Sequence, residues 1–237
     1  LETPVSAMLK LAGGRPNSFL LESVEGGETR GRYSVIGLKP DLIWRCHGDR
    51  PEINRKAASQ ADAFEPEGEG ALASLRALLV ESHIDLPEEL PPMAAGLVGY
   101  MGYETVHLME RLPLTNTDVL GLPDGLFLRP TVMAIFDSVE DTLWVVSPVR
   151  PQAGIDAAAA YQIAGERLAN VAADFQRDLP LTRQSGDGTA TAAEPASNMS
   201  RDDYHRIVRA AKDYIGAGDI FQVVLSQRFS VPFALPP

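Results

Sequence analysis

An α+β fold, antiparallel β-sheets with helices packed on them, is what this sequence predicts, and three observations carry it. Short apolar runs bounded by Gly, Pro and Asp recur through residues 18–148, the punctuation of buried and half-buried strands. Two of these runs, 131–137 and 142–148, flank the polar tetrapeptide Ser138-Val139-Glu140-Asp141, a loop of the length that joins an antiparallel hairpin. Leu72, Leu75, Leu78 and Leu79 instead recur at helical spacing, so residues 70–82 should lay one leucine face on a sheet.

The other elements follow from the same signals. Residues 4–12 and 155–177 read as helices, and residues 18–25, 32–38, 41–47 and 95–101 as strands. From 179 to 199 the composition turns to Ser, Thr, Ala, Gly and Asp with almost nothing large to bury, as in Arg183-Gln184-Ser185-Gly186-Asp187-Gly188, and a mobile linker is expected. Ser200-Arg201-Asp202-Asp203 then has the capping-box form that opens a helix. Tyr204, Ile207, Val208, Ala211 and Ile215 continue it on one face until Gly216 and Gly218 end it. A strand over 220–229 follows. Its sheet partners have no room in the few residues left, so the sequence reads as incomplete at its C-terminus, part of something longer.

Composition narrows the class of function. At 237 residues and 45% apolar content the chain can bury one large core or two small ones. Its 21 Lys and Arg against 32 Asp and Glu leave a formal charge of −11, with no basic cluster to offset it. Such a field repels phosphate backbones and anionic headgroups, so neither nucleic acid nor a membrane is an expected partner. The longest apolar stretches, such as 131–136 and 143–146, fall far short of the ~18–20 residues of a membrane span. The chain opens on Leu1 without an export-signal pattern, and its one cysteine, Cys46, has no second thiol. A reducing, cytoplasmic location is expected.

Familiar catalytic motifs are weak here. His47, His83, His107 and His205 are scattered, and Cys46 beside His47 on one strand would point to the opposite face, so no metal set is expected. His107 and Glu110 have the spacing of neighbours on a helix and read as a surface polar pair. The run Gly96-Leu97-Val98-Gly99-Tyr100-Met101-Gly102-Tyr103-Glu104 has neither the dinucleotide nor the P-loop spacing; it reads as a strand packed closely on a neighbour. Ser6 and Ser147 lack a nearby base, so a serine nucleophile is unsupported. Two segments stand apart. Ser18-Phe19-Leu20-Leu21-Glu22-Ser23 puts a carboxylate and a hydroxyl at the end of a strand, and Arg30-Gly31-Arg32-Tyr33-Ser34 puts guanidinium, phenol and hydroxyl at the start of the next. Together they outline a zwitterion pocket, or else a cross-strand ion pair between Glu22 and Arg32 with serines capping turns.

Four blocks in order resemble anthranilate synthase component I: Leu20-Leu21-Glu22-Ser23, Gly31-Arg32-Tyr33-Ser34-Val35-Ile36-Gly37, the Gly96–Glu104 run, and Ala217-Gly218-Asp219-Ile220-Phe221-Gln222-Val223-Val224-Leu225-Ser226-Gln227-Arg228-Phe229. The resemblance implies formation of anthranilate from chorismate, with Mg²⁺ and with ammonia released from glutamine by an amidotransferase partner (component II), under feedback by L-tryptophan. It implies that Ser23 and Glu22, then Arg32, Tyr33 and Ser34, line the allosteric tryptophan site. It also implies a division into a regulatory region over 1–178, a linker over 179–199, and the start of a chorismate-binding catalytic domain over 200–237. Gln222 stands where isochorismate-forming relatives carry a lysine base, and an amide takes no proton at neutral pH. That argues for amination rather than hydration. Aminodeoxychorismate synthase component I, which shares the glutamine, is one alternative, but Ile220-Phe221 and Val224 favour the tryptophan branch; a module that only senses tryptophan and binds the partner is the other. The Mg²⁺ ligands and catalytic histidine of the family are expected beyond residue 237, so the chain alone is expected to be inactive.

Overall fold

The computed structural model describes residues 2–23, 31–113, 117–152, 154–179 and 194–232. The chain divides into two compact units, Leu1–Leu181 and Thr182–Pro237.

The first unit opens with α1, Pro4–Ala12. Pro4 has no N–H to lose at a helix start, and Thr3 and Ser6 exchange reciprocal capping hydrogen bonds, Ser6 N to Thr3 Oγ1 at 3.1 Å and Thr3 N to Ser6 Oγ at 2.8 Å. Then come β1 (Phe19–Leu21), β2 (Tyr33–Leu38), β3 (Leu42–His47), β4 (Arg50–Asn54), β5 (Glu65–Pro66) and α2 (Ala71–Glu81). After them lie β6 (Val98–Met101), a 3₁₀ helix (Tyr103–Leu108), β7 (Gly125–Arg129), β8 (Val132–Asp137), β9 (Thr142–Val146) and α3 (Ala157–Phe175).

These strands form two antiparallel sheets. The first runs β1-β2-β8-β9, the second β5-β4-β3-β7-β6. In the first sheet Ile36, Leu38, Val132 and Ala134 face α1 and α3, meeting Ala7, Leu11 and Val171. Val35, Met133 and Ile135 face the other way, onto Ala94 and a cover of Leu86, Leu90 and Met93. Burial on both faces is why β2 reads as a continuous apolar run rather than as an alternation. In the second sheet Leu42, Trp44, Cys46 and Ile53 pack against Ala71, Leu75 and Leu78 of α2; of the four leucines that the spacing puts on this face, Leu75 and Leu78 are buried, Leu72 is half-buried and Leu79 is 52% exposed. Trp44 donates its indole N–H to Ser74 Oγ at 2.9 Å, so the largest buried side chain carries no unpaired donor.

The chain passes between the sheets twice, at 39–41 and at 130–131, and the two crossings are bonded side by side. Asp41 N donates to Arg129 O, Thr131 N to Leu38 O and Thr131 Oγ1 to Lys39 O. Arg129 then holds Asp41 through Nε and Nη2 at 2.9 and 3.0 Å and reaches Glu81 at the end of α2.

In the second unit, β10 (Ala196–Ser197) precedes α4 (Arg201–Ala217) and pairs antiparallel with β11 (Phe229–Ser230). Ser200 caps α4 by accepting from Asp203 N, and Gly218 ends it at φ 84°, the left-handed region glycine enters freely. The strand expected over 220–229 is a correction: only Phe229 and Ser230 are strand, and Phe221 and Val224 are 94% and 83% exposed. A strand needs a neighbour to satisfy its backbone, and among the described residues only Ala196–Ser197 supplies one. Of the expected linker, 180–193 lie outside the described residues, and its last part carries β10 instead.

Four strands, β4, β5, β7 and β10, had no counterpart in the sequence reading. Pro51 lies inside β4 and Gly125 opens β7, both residues that argue against a strand. No described helix is long and apolar enough to cross a membrane.

Candidate functional site

The antiparallel pairing of β1 with β2 brings the two sequence segments together. Leu21 lies opposite Val35, so residues 22 and 23 leave the sheet beside Ser34. Ser23 N donates to Ser34 Oγ at 3.3 Å, joining two of the five expected tryptophan-site residues directly. Ser34 is buried, whereas Glu22 and Ser23 are exposed.

Strand alternation separates the rest. Ser34 sits on the face that carries Ile36 and Leu38, and Tyr33 on the face that carries Val35. Tyr33 lines an open cleft of about 460 Å³ together with Arg32, Glu88, Glu89, Asp137, Glu140 and Trp144. Above the Tyr33 ring, 5.0 Å from its centre, stands the Arg32 guanidinium. An aromatic wall, one guanidinium and four carboxylates suit a flat ligand that carries an ammonium group.

The ion pair that spacing allowed between Glu22 and Arg32 is replaced by one from the next strand. Arg32 donates through Nε at 2.9 Å and Nη2 at 2.6 Å to Asp137, and Glu140 lies 3.7 Å away. Asp137 also accepts from the N–H groups of Val139 and Glu140, closing the β8–β9 turn. The Arg32 guanidinium first, and then these two N–H groups, hold the Asp137 carboxyl at about 2, against the opposing effect of its burial. Asp137 was missed in the sequence; its signal was the position of an Asp immediately before a four-residue hairpin loop.

Gln222 is exposed, in the irregular segment before β11. Within the glycine run, packing accounts for Gly99, whereas Gly96 stands at φ 142° with nothing within 4 Å of an added methyl. Gly99 pairs with Phe127, and a methyl built on it would lie 1.9 Å from Leu126 O. Among the described residues no three His, Cys, Asp or Glu side chains gather as a metal site. The Mg²⁺ implied by resemblance therefore finds no fitting ligand set among the described residues.

Residues 19–237 match the family model described as chorismate binding enzyme, so the chain belongs to that family. The curated relatives are more particular. Over all 237 residues the chain is 51% identical to anthranilate synthase component 1 of Cereibacter sphaeroides and 39% identical to that of Thermus thermophilus, covering 47% of each. The fold also matches the crystal structure of anthranilate synthase component I from Streptococcus pneumoniae, at TM-score 0.64 and 20% identity, over 100% of this chain and 48% of that one. The chain thus spans about half the length of the curated relatives it matches.

Proposed function

We propose that this chain is the regulatory, partner-facing part of an anthranilate synthase large subunit, a cytoplasmic lyase of tryptophan biosynthesis. The complete polypeptide would convert chorismate and ammonia to anthranilate and pyruvate, with Mg²⁺ held by residues other than those described. Ammonia would come from a glutamine amidotransferase subunit, and L-tryptophan would inhibit. The single observation that carries this reading is 51% identity over every residue of the chain to a relative of that name.

Within the reading, Ser23, Glu22 and Ser34 form the tryptophan site at the end of β1, with Tyr33 and Arg32 on the cleft behind it. Feedback needs tryptophan to bind the less active state better, and a coupling of ~1–3 kcal/mol suffices. Gln222 lies on the segment that meets substrate. An amide there activates no water, and ammonia, already nucleophilic, needs no base.

Anthranilate fluorescence tests the reading, using the complete polypeptide with chorismate, Mg²⁺ and ammonium, and this chain alone as the comparison. The complete polypeptide should make anthranilate and this chain none. Isochorismate or aminodeoxychorismate as product would overturn the assignment. Ser23→Ala in the complete polypeptide should raise the tryptophan concentration needed for half-inhibition about tenfold, for a lost contact of ~1.4 kcal/mol, with uninhibited turnover unchanged. Equal loss of both would make Ser23 structural.

A further inference from the structure

The face of β2 turned away from Ser34 supplies the floor of the Tyr33 cleft. Tyr33 lies opposite Asp137 on β8 and Asp137 opposite Thr142 on β9; one step along the same face, Val35, Ile135 and Trp144 follow in line. Residues 88–92 stand beside this floor as a wall. Pro91-Pro92 stiffens the wall, because each ring fixes φ, and Leu90 anchors it by packing on the Val35 cluster. The space between, about 460 Å³, lies within the ~300–1,000 Å³ of small-molecule sites.

Arg32 shows how this cleft holds a cation. Its guanidinium stands 5.0 Å from the centre of the Tyr33 ring, while Asp137 accepts from Nε and Nη2 and Glu140 lies 3.7 Å away. The ring face attracts positive charge, and the carboxylates take its hydrogens. Trp144, Glu88 and Glu89 repeat these parts, an aromatic ring with two carboxylates, yet Arg32 is the only cation among the lining residues and is engaged by Asp137. Glu88 and Glu89 are exposed and Trp144 is half-buried, so a ligand entering from solvent reaches all three. Four carboxylates around one engaged guanidinium repel any further carboxylate.

We propose that the cleft binds a small organic cation, a primary ammonium or guanidinium on a flat apolar body without a carboxylate, with its body on Trp144 and its charge at Glu88 and Glu89. This goes beyond the inhibitor reading. Tryptophan carries a carboxylate, and Ser23 and Ser34, where that reading seats it, lie past the end of β1 and on the other face of β2. The chain's charge of −11 adds little, being screened over about 8 Å at physiological salt, so selectivity rests on the groups of the cleft itself. Occupancy would tie the 88–92 wall to the β8–β9 hairpin, which carries Glu140, Thr142 and Trp144.

Intrinsic fluorescence reads the cleft directly, because of the two tryptophans Trp44 is fully buried and Trp144 lines it. Phenylethylammonium is added to the full chain at fixed ionic strength, with excitation at a wavelength that its phenyl ring does not absorb. A saturable change in emission is expected with half-saturation at about 1 mM, the affinity within reach of so small a ligand. Phenylpropanoate, with a carboxylate in place of the ammonium, should give none. Phenylalanine, which keeps the ammonium and adds a carboxylate, should bind about tenfold more weakly. Trp144→Phe should remove the response. Glu88→Gln combined with Glu89→Gln, two exposed changes that leave the core alone, should raise the half-saturating concentration about tenfold. Four outcomes would each overturn the proposal: no saturable response to the amine, an equal response to phenylpropanoate or phenylalanine, a response that persists in Trp144→Phe, or an unchanged half-saturation in the Glu88→Gln, Glu89→Gln chain.

Discussion

Asp137 shows how much one carboxylate can organise. It terminates β8, closes the hairpin turn through two backbone N–H groups and clamps Arg32 over Tyr33. Its carboxyl titrates at about 2 in the folded chain, against about 3.9 for an unperturbed Asp. A depressed folded value means that the carboxylate stabilises the fold fully above pH ~4, and that this stability is lost as pH falls toward 2. Asp137→Asn retains an oxygen for the turn and discards the charge, so it isolates the pair with Arg32. Urea unfolding should show the variant less stable than the unmodified chain at pH 6, with the gap closing between pH 4 and 2. An equal gap at pH 6 and pH 2 would leave the ion pair without a role. Arg32 was legible as a functional candidate, but its partner was not, because Glu22 and Asp137 are equivalent to a reader of spacing. Only the β2–β8 register, Tyr33 opposite Asp137, chooses between them.

At the level of elements, the legible features were those whose signal is local. The helix start at Pro4, the leucine face of α2 and the hairpin of β8 with β9 are written within stretches of a dozen or so residues. The strands β4 and β7 were not legible, because an interior Pro51 and a leading Gly125 mask them: β4 is the second arm of a tight hairpin with β3, His47 opposite Arg50, and β7 joins the other side of β3 from far along the chain. Gly99 is the case in which a local oddity encoded a long-range contact. A methyl there would lie 1.9 Å from Leu126 O and 2.7 Å from Phe127 Cα, both main-chain atoms that no rotamer change can move aside. Gly99→Ala should therefore push β6 off β7 and destabilise the chain by about 3 kcal/mol or more, measured by denaturant unfolding. Gly165→Ala is the matched control. Gly165 lies inside α3 with nothing within 4 Å of the added methyl, so the same substitution should stabilise by about 0.5–1 kcal/mol. If both variants lose stability alike, close approach of β6 to β7 is not what Gly99 provides.

Across the whole molecule the two units differ in how fully their apolar residues are used. The first unit buries Trp44, Leu42, Ile36 and Ile135 completely, whereas around Gln222 the residues Phe221 and Val224 stand almost fully exposed. The sequence was read as a strand there because Ile-Phe-Gln-Val-Val-Leu has every local property of one. What it lacks is a neighbour: two residues, Ala196 and Ser197, pair with the end of the segment and nothing described pairs with its middle. Membership in a family whose curated relatives are about twice as long supplies the physical reason to expect that neighbour elsewhere. Amide hydrogen exchange measures this directly. In the 237-residue chain the amides of residues 221–227 should exchange at close to unprotected rates, while those of Val35, Ile36 and Ala134, inside the first sheet, exchange slowly. In a polypeptide continued to the relatives' length, residues 221–227 should gain strand-like protection, with the first sheet unchanged. Exchange that stays fast in the longer polypeptide would mean that Gln222 lies on a loop, and its reading as a residue of a substrate-facing strand would fall with that result.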